Sequence, residues 1–573
     1  MKNFRFGFKL RFKTLAKVFI AVAVVTVFYS SCTRSAFTSS SSVATGDPFL
    51  KYAWHLSNSG QKVFAAAAGT AGFDMNLTTT WQRGILGRGV QIQVSDDGLD
   101  DAHEDLKGNF SYLNESKNYT TSSPFLATLA APISVDDNHG TAVAGLIAAV
   151  GNNGLGTVGV APKASLTIAN FLSTAVSQSL VKELDQASGN FAISNMSWGF
   201  PQNELTPVDP TYAAQLKSMI TTKRGGKGAL FVKAAGNEYV TYCNGSMTLP
   251  CVGSSNFDGD NVLPYLIVVA ALNAKGEQSS YSSNGSDIWI TAFGGEYGDD
   301  TPAMLTTDRT GCSMGYSKSG ELPAFDGGTS GENPTCSYTS KFNGTSSAAP
   351  TLTGAIALLL EANPNLTWRE IKYILATTAT VDGYATGTQT HPLGLALPTG
   401  YDWDQKWITN SAQFRFHNAF GFGRVNVDAA VTRAQSLPVS PLALGTYTET
   451  NWANANTGLS TAISDNSATG ATSILNVVTA LTVEAVQIKV SVTHADVSEL
   501  ALELTSPSGT RSVLVPALNA LTGIPNFVND VFLTNAFYQE TSVGNWTLKV
   551  IDAKTGNTGT LTSFSLNIFG GAH

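Results

Sequence analysis

Only 13% of the 573 residues are charged, and the basic kind is the scarcer, 34 Lys and Arg against 42 Asp and Glu. With 43% hydrophobic residues alongside, this composition excludes an intrinsically disordered chain and predicts a sizeable buried core. Six of the basic residues, Lys2, Arg5, Lys9, Arg11, Lys13 and Lys17, lie ahead of an apolar run from Val18 to Tyr29, and without them the net charge moves from −8 to −14. Nucleic acid, which is held by basic surfaces, is therefore not an expected partner. The apolar run itself is about a dozen residues, short of the ~20 that span a bilayer. Cysteines number five, with no Cys-x-x-Cys pair and no Cys–His cluster, which excludes a zinc site of ordinary spacing. No internal repeat is found. The 54 glycines imply many tight turns.

The basic stretch and short apolar core predict a signal peptide over residues 1–31. Its end, Tyr29-Ser30-Ser31-Cys32, resembles the bacterial lipoprotein signal. That resemblance implies an exported protein held at the bacterial cell envelope, periplasmic or cell-surface, by a lipid anchor at Cys32. Residues 32–46, rich in Ser, Thr and Ala, predict a flexible tether. With Cys32 given to lipid, four cysteines remain, an even number expected to form two disulfides in an exported protein. Proximity favours Cys243 with Cys251 and Cys312 with Cys336, one of three connectivities.

Between residues 47 and 435, apolar runs such as Val90–Val94, Leu166–Ala169, Leu230–Ala234 and Leu266–Ala270 alternate with helical patterns, predicting an α/β domain with a largely parallel sheet. One helix is expected to start near His139 and another to follow Ser346. A third is announced by Thr367-Trp-Arg-Glu370, a capping-box pattern. From residue 436 to 573 the texture changes to strands and turns, as in Val486–Val492, Leu500–Leu504, Trp546–Val550 and Phe564–Ile568, predicting an all-β sandwich.

Three short segments put a reactive side chain where strand or loop meets helix. Val94-Ser-Asp96-Asp97-Gly98 ends a strand in a carboxylate; Asn138-His139-Gly140-Thr141 opens a helix with an imidazole; Gly344-Thr-Ser346-Ser-Ala puts a hydroxyl at a helix N-terminus. A serine hydroxyl needs a base to become nucleophilic, and the imidazole serves best when a carboxylate orients it. Ala234-Ala-Gly-Asn237 adds an amide that can join the Ser346 N–H in binding an oxyanion. Asp97 and Ser347 are the weaker candidates for the carboxylate and the nucleophile.

These segments, in this order, resemble the subtilisin-like peptidases, specifically their kexin–furin branch. The likeness extends through Trp54-His55-Leu56, Asn152–Val160, Asn195-Met-Ser-Trp-Gly199 and Phe420-Gly-Phe-Gly-Arg424, covering nearly the whole domain. It implies a catalytic domain over 47–435 that hydrolyses polypeptides through an acyl-enzyme, with Asp96, His139 and Ser346 as triad and Asn237 as oxyanion donor. A non-catalytic cell-surface binding protein on the same scaffold is the alternative; the intact set of four argues against it.

The resemblance also implies a structural calcium ion at Val150, Asn153, Leu155 and Thr157, completed by Asp47 and Asp105, a set of hard oxygen donors. Ser197, Trp198 and Gly199 match a substrate-binding segment, and Asp258 matches an acid at the base of the primary specificity pocket. Cleavage after basic residues is expected on that ground, although Phe200-Pro-Gln-Asn203 and Tyr281-Ser-Ser283 stand where the family carries further acids. Asp136 and Asp137 are candidates to receive a neighbouring basic residue. Residues 436–573 resemble the P-domain that follows kexin-type catalytic domains, a jelly-roll sandwich expected to pack on its partner. His494 and Asp496 within it are expected to stabilise a turn and less to bind a metal. Family members usually carry a propeptide; on this reading only the expected tether would stand between the signal peptide and the catalytic domain.

Overall fold

Strands rich in valine and isoleucine on both faces need cover on both sides, so they belong in the middle of a layered structure. The computed structural model describes residues 46–110, 115–120, 125, 131–243, 249–381, 391–437 and 442–572. The expected signal peptide, Cys32 and the tether up to residue 45 lie outside them. Strands β1 (Gln91–Ser95), β2 (Ser165–Ala169), β3 (Ile193–Met196), β4 (Leu230–Ala234), β5 (Leu266–Leu272) and β6 (Ile290–Phe293) form one sheet in the order β2-β1-β3-β4-β5-β6. Every pairing in it is parallel. All strand C-termini therefore emerge at one edge, where ligands bind in open α/β sheets.

Helix α1 (His139–Ala148) is buried along its length from Gly140 onward, and α2 (Thr345–Ala362) is buried from Ser347 to Leu360. Small residues permit this: a methyl on Gly140 would fall 2.2 Å from the Gly98 carbonyl oxygen. Helix α3 (Trp368–Thr378) begins with the expected capping box, Thr367 and Glu370 each bonding the other's backbone N–H.

The C-terminal region is a β-sandwich. One sheet contains β7 (Thr446–Glu449), β15 (Gly559–Ala572), β10 (Thr482–Thr493) and β13 (Phe527–Thr534), with β8 (Asn454–Ile463) alongside β15. The other has the order β9 (Ser467–Val477), β14 (Gly544–Asp552), β11 (Leu500–Thr505), β12 (Arg511–Val515). Alternate residues such as Ile488, Val490, Leu502, Leu504, Leu548 and Leu566 meet in its core. The disulfides are Cys243–Cys251 and Cys312–Cys336.

The two regions are joined by an inserted side chain as well as by surface contacts. Phe257, from a 3-10 turn of the α/β region, is buried in the sandwich core. Beside it the Asn256 amide donates to the Leu533 carbonyl (3.1 Å) and accepts from the Leu533 N–H (2.9 Å). Arg369 on α3 forms a paired contact with Glu484 on β10, its Nε lying 2.9 and 3.0 Å from the two carboxylate oxygens. Phe257→Ala removes a ring from a packed interior and is expected to cost about 3–5 kcal/mol. A thermal melt showing no loss of stability would contradict this account of the interface.

Candidate active site

Asp96 follows the last residue of β1, and its N–H donates to the Ala169 carbonyl (2.9 Å), which fixes the carboxylate at the sheet edge. The carboxylate is fully buried, and His139 Nδ1 lies 2.9 and 3.1 Å from its two oxygens. Burial disfavours a charged imidazole here, but the charge and hydrogen bond of Asp96, helped by Asp97, outweigh it and raise the His139 pKa above its ordinary value. Asp97 has a different role. Its oxygens accept the His139 N–H (2.9 Å) and the Gly140 N–H (2.7 Å), so it caps α1 and sets where His139 stands. Burial first, and the neighbouring Asp96 second, raise the Asp97 carboxyl.

Ser346 lies in the first turn of α2. Its hydroxyl donates to the Ser197 carbonyl (3.1 Å), and the Ser197 hydroxyl donates to the Ser346 carbonyl (3.0 Å), locking the turn to the segment that leaves β3. Ser347 is fully buried and faces away from any access. The His139 and Phe342 rings meet edge to face with centroids 5.3 Å apart, which joins the strand leading into α2 to the imidazole. Asn237 Oδ1 accepts from the Thr345 N–H (2.8 Å) and hydroxyl (3.0 Å). Those two donors fix the amide, so Nδ2 is left to point elsewhere. It lies 3.2 Å from where a methyl on Gly344 would sit, a spot 3.5 Å from the Ser346 nitrogen; Gly344 has φ +92° and keeps that space open.

Ser197, Trp198 and Gly199 run from Ser346 outward along the edge, with Gly199 and Phe200 exposed. Asp258 lies beneath them, but not as a free acid. Its Oδ2 accepts from Lys233 Nζ (2.7 Å) and the Phe200 N–H (3.0 Å), and its Oδ1 from the Asp260 N–H (2.9 Å). Sequence reasoning missed Lys233, although a signal was present: a lysine inside the apolar strand Leu230-Phe-Val-Lys-Ala234 must find an anion. Asp137 is also occupied, accepting from Ile133, Ser134, Ser173 and Thr174, so it ties two loops together and does not face a substrate. Asp136 is exposed.

The six expected calcium ligands converge on one loop. Asp47 accepts from the N–H groups of Asn152, Asn153 and Gly154, and Asp105 accepts from Asn153 Nδ2 (2.8 Å) and the Thr157 N–H (2.9 Å). The Val150 N–H donates to the Asp105 carbonyl (2.8 Å), and Leu155 donates to Asn153 Oδ1 (2.8 Å). Asp105 is fully buried and its carboxyl is pushed up to about 7, mainly by burial. The buried Thr157 hydroxyl has no partner. Two buried carboxylates beside an orphaned hydroxyl fit a hard cation. A second group, His494, Glu499 and Asp552, also has ligand atoms within 4.8 Å of one another. There, Lys554 Nζ already sits 2.7 Å from Glu499, and His494 bonds the Asp496 backbone, the turn-stabilising role expected for it.

A parallel α/β sheet with an Asp–His pair, a serine at a helix N-terminus and a fixed amide at one edge is the architecture of a serine peptidase. The chain belongs to the subtilase family, whose description matches residues 87–423; the proprotein convertase P-domain matches residues 483–568. The extracellular serine protease of Aeromonas sobria is 38% identical over 546 residues, covering 89% of this chain and 85% of its own. The microbial serine proteinase of Aeromonas salmonicida is 34% identical over 558 residues, covering 87% and 83%. Furin of Mus musculus is 26% identical over 544 residues, 92% of this chain and 58% of its own. The crystal structure of the Aeromonas sobria protease in complex with a chaperone superimposes with a TM-score of 0.83 at 32% identity, covering 94% of this chain and 98% of that one.

The raised His139 pKa has a sign that can be tested. With His139 in the expected role of base, only its neutral imidazole takes a proton, so kcat/KM should rise with pH through that pKa. Asp97→Asn removes one of the charges that raise it, and the acid limb of the pH profile is expected to move down by about 0.5–1 pH unit. A limb that stays in place would show that Asp97 acts on α1 alone.

Proposed function

We propose that this enzyme hydrolyses internal peptide bonds of exported or extracellular polypeptides through an acyl-enzyme carried on Ser346. The observation that supports this most is the buried Asp96–His139 hydrogen bond at the sheet edge from which Ser346 and Asn237 also project. On this reading the Ser346 hydroxyl turns from the Ser197 carbonyl toward His139, gives its proton to Nε2 and attacks the scissile carbonyl carbon. The Asn237 amide and the Ser346 N–H receive the oxyanion. Collapse of the tetrahedral intermediate expels the amine, which takes the proton from His139. Water then attacks the ester with His139 as base, and the acid product leaves. Asp96 throughout holds Nδ1–H and offsets the imidazolium charge.

Asp47, Asp105, Asn153, Thr157 and the carbonyls of Val150 and Leu155 would hold a calcium ion, whose charge would neutralise the two buried carboxylates and rigidify the loop after α1. Export is supported by the basic and apolar leader and by the extracellular protease of Aeromonas sobria; attachment to the envelope through lipid on Cys32 rests on the leader's end alone. Among the described residues no helix is long and apolar enough to cross a membrane.

A fluorophosphonate probe should label the protein at Ser346, and Ser346→Ala should abolish labelling. Unchanged labelling of that variant would reject Ser346 as nucleophile. Calcium removal by chelation is expected to lower Tm by about 5–10 °C, with restoration on adding calcium back. Asp105→Asn should blunt that response, and an equal response in the variant would move the ion elsewhere.

A further inference from the structure

We infer that Lys233 is a specificity-determining residue: its ammonium supplies from within the counter-charge that a basic substrate side chain would otherwise bring to Asp258. The inference rests on the peptidase reading above and concerns which residue may precede the bond that is cut.

The geometry argues it in three steps. Met196 and Lys233 are register partners at the C-terminal ends of β3 and β4, so Lys233 projects beside the chain that leaves β3 toward Ser346. From there its Nζ reaches Asp258 Oδ2 at 2.7 Å and lies 5.1 Å from the Trp198 ring centroid. A methyl placed on Gly199 would fall 2.7 Å from Asp258 Oδ2 and 3.2 Å from Lys233 Nζ, so the pair lies directly against the segment expected to bind substrate.

Both side chains are buried, Lys233 at 0% and Asp258 at 1% exposure. Asp258 is already engaged: Lys233 and the Phe200 N–H donate to its Oδ2 and the Asp260 N–H donates to its Oδ1. The floor is therefore neutral. Burial raises the carboxyl of the neighbouring Asp260, which favours its uncharged form, while Lys233 opposes that shift. A second cation brought by a substrate would have to displace Lys233 or sit beside it, and buried like charges repel. An uncharged side chain meets no such cost, and it finds the Trp198 ring as a wall.

The test uses the full chain and fluorogenic peptides that differ only at the residue before the cut, carrying Arg, Lys, Leu or Phe. Wild type should turn over the Leu and Phe peptides at least as well as the basic ones, by kcat/KM. Lys233→Met should raise the Arg-to-Leu ratio by about tenfold or more by leaving Asp258 unpaired. Lys233→Arg, which keeps the cation, should hold the wild-type ratio, as should the neutral double variant Lys233→Met/Asp258→Asn. If Lys233→Met does not fold, the wild-type profile and the double variant still decide. A wild type that strongly prefers Arg or Lys, or a folded Lys233→Met with an unchanged ratio, overturns the inference. A protein that neither takes the fluorophosphonate nor cuts any peptide overturns the peptidase reading instead.

Discussion

The parallel alignment of β1, β3 and β4 is the constraint from which the rest of the site follows. Because the strands share one direction, the residues that follow them, Asp96, Ser197 and Asn237, are delivered to one edge without any loop having to search for the others. Two buried helices then bring His139 and Ser346 to the same edge from behind. The hydrogen bonds that tie these parts together cross between elements: Asp97 to the start of α1, Thr345 to Asn237, Ser197 to Ser346 in both directions. Each contributes only about 1–3 kcal/mol net, yet each fixes one of these side chains relative to its neighbour. The site is thus preorganised by the sheet and only trimmed by its side chains.

What was legible in the sequence is what depends on local chemistry. Asp96, His139, Asn237 and Ser346 each stand at a junction marked by glycine or by a change of hydrophobic period, and the expected strands and the capping box of α3 all form. The disulfide pairing followed from short separation. What was not legible depends on partners far apart in the chain. Lys233 and Asp258 are 25 residues apart, one on β4 and the other directly after the 3-10 turn Ser255–Phe257, and meet only in the folded chain. Asp97 is 42 residues from the His139 N–H it caps, and the Asp–Asp–Gly turn around it gives no sign of that role. Asp137 read as a substrate contact because it precedes the histidine; only its bonds to a loop 36 residues onward showed it to be structural.

The same distinction applies to the sandwich. Alternating apolar residues announce its two sheets, but nothing local announces that a phenylalanine of the other region completes its core. Phe257 is buried there while the next residue, Asp258, faces Lys233, so a 3-10 turn is gripped on one side by the sandwich and on the other by the peptidase fold. Asn256 adds bonds to β13, and Ser286 and Asn535 bond across the same boundary within a few ångströms of it.

This arrangement explains how a buried ion pair can be kept beside the exposed Gly199 at all. Taking an ammonium and a carboxylate out of water costs several kcal/mol each, and their attraction repays that only when the two are held at contact with every remaining hydrogen-bonding position filled. The β4 backbone holds Lys233 rigidly. Asp258 sits on a short turn, and a turn alone would let the carboxylate drift toward water. Insertion of Phe257 into the sandwich, with the Asn256 amide clasped by both backbone groups of Leu533, removes that freedom one residue away. The all-β region therefore acts through position: by fixing where one carboxylate stands, it fixes the charge that lies against Gly199.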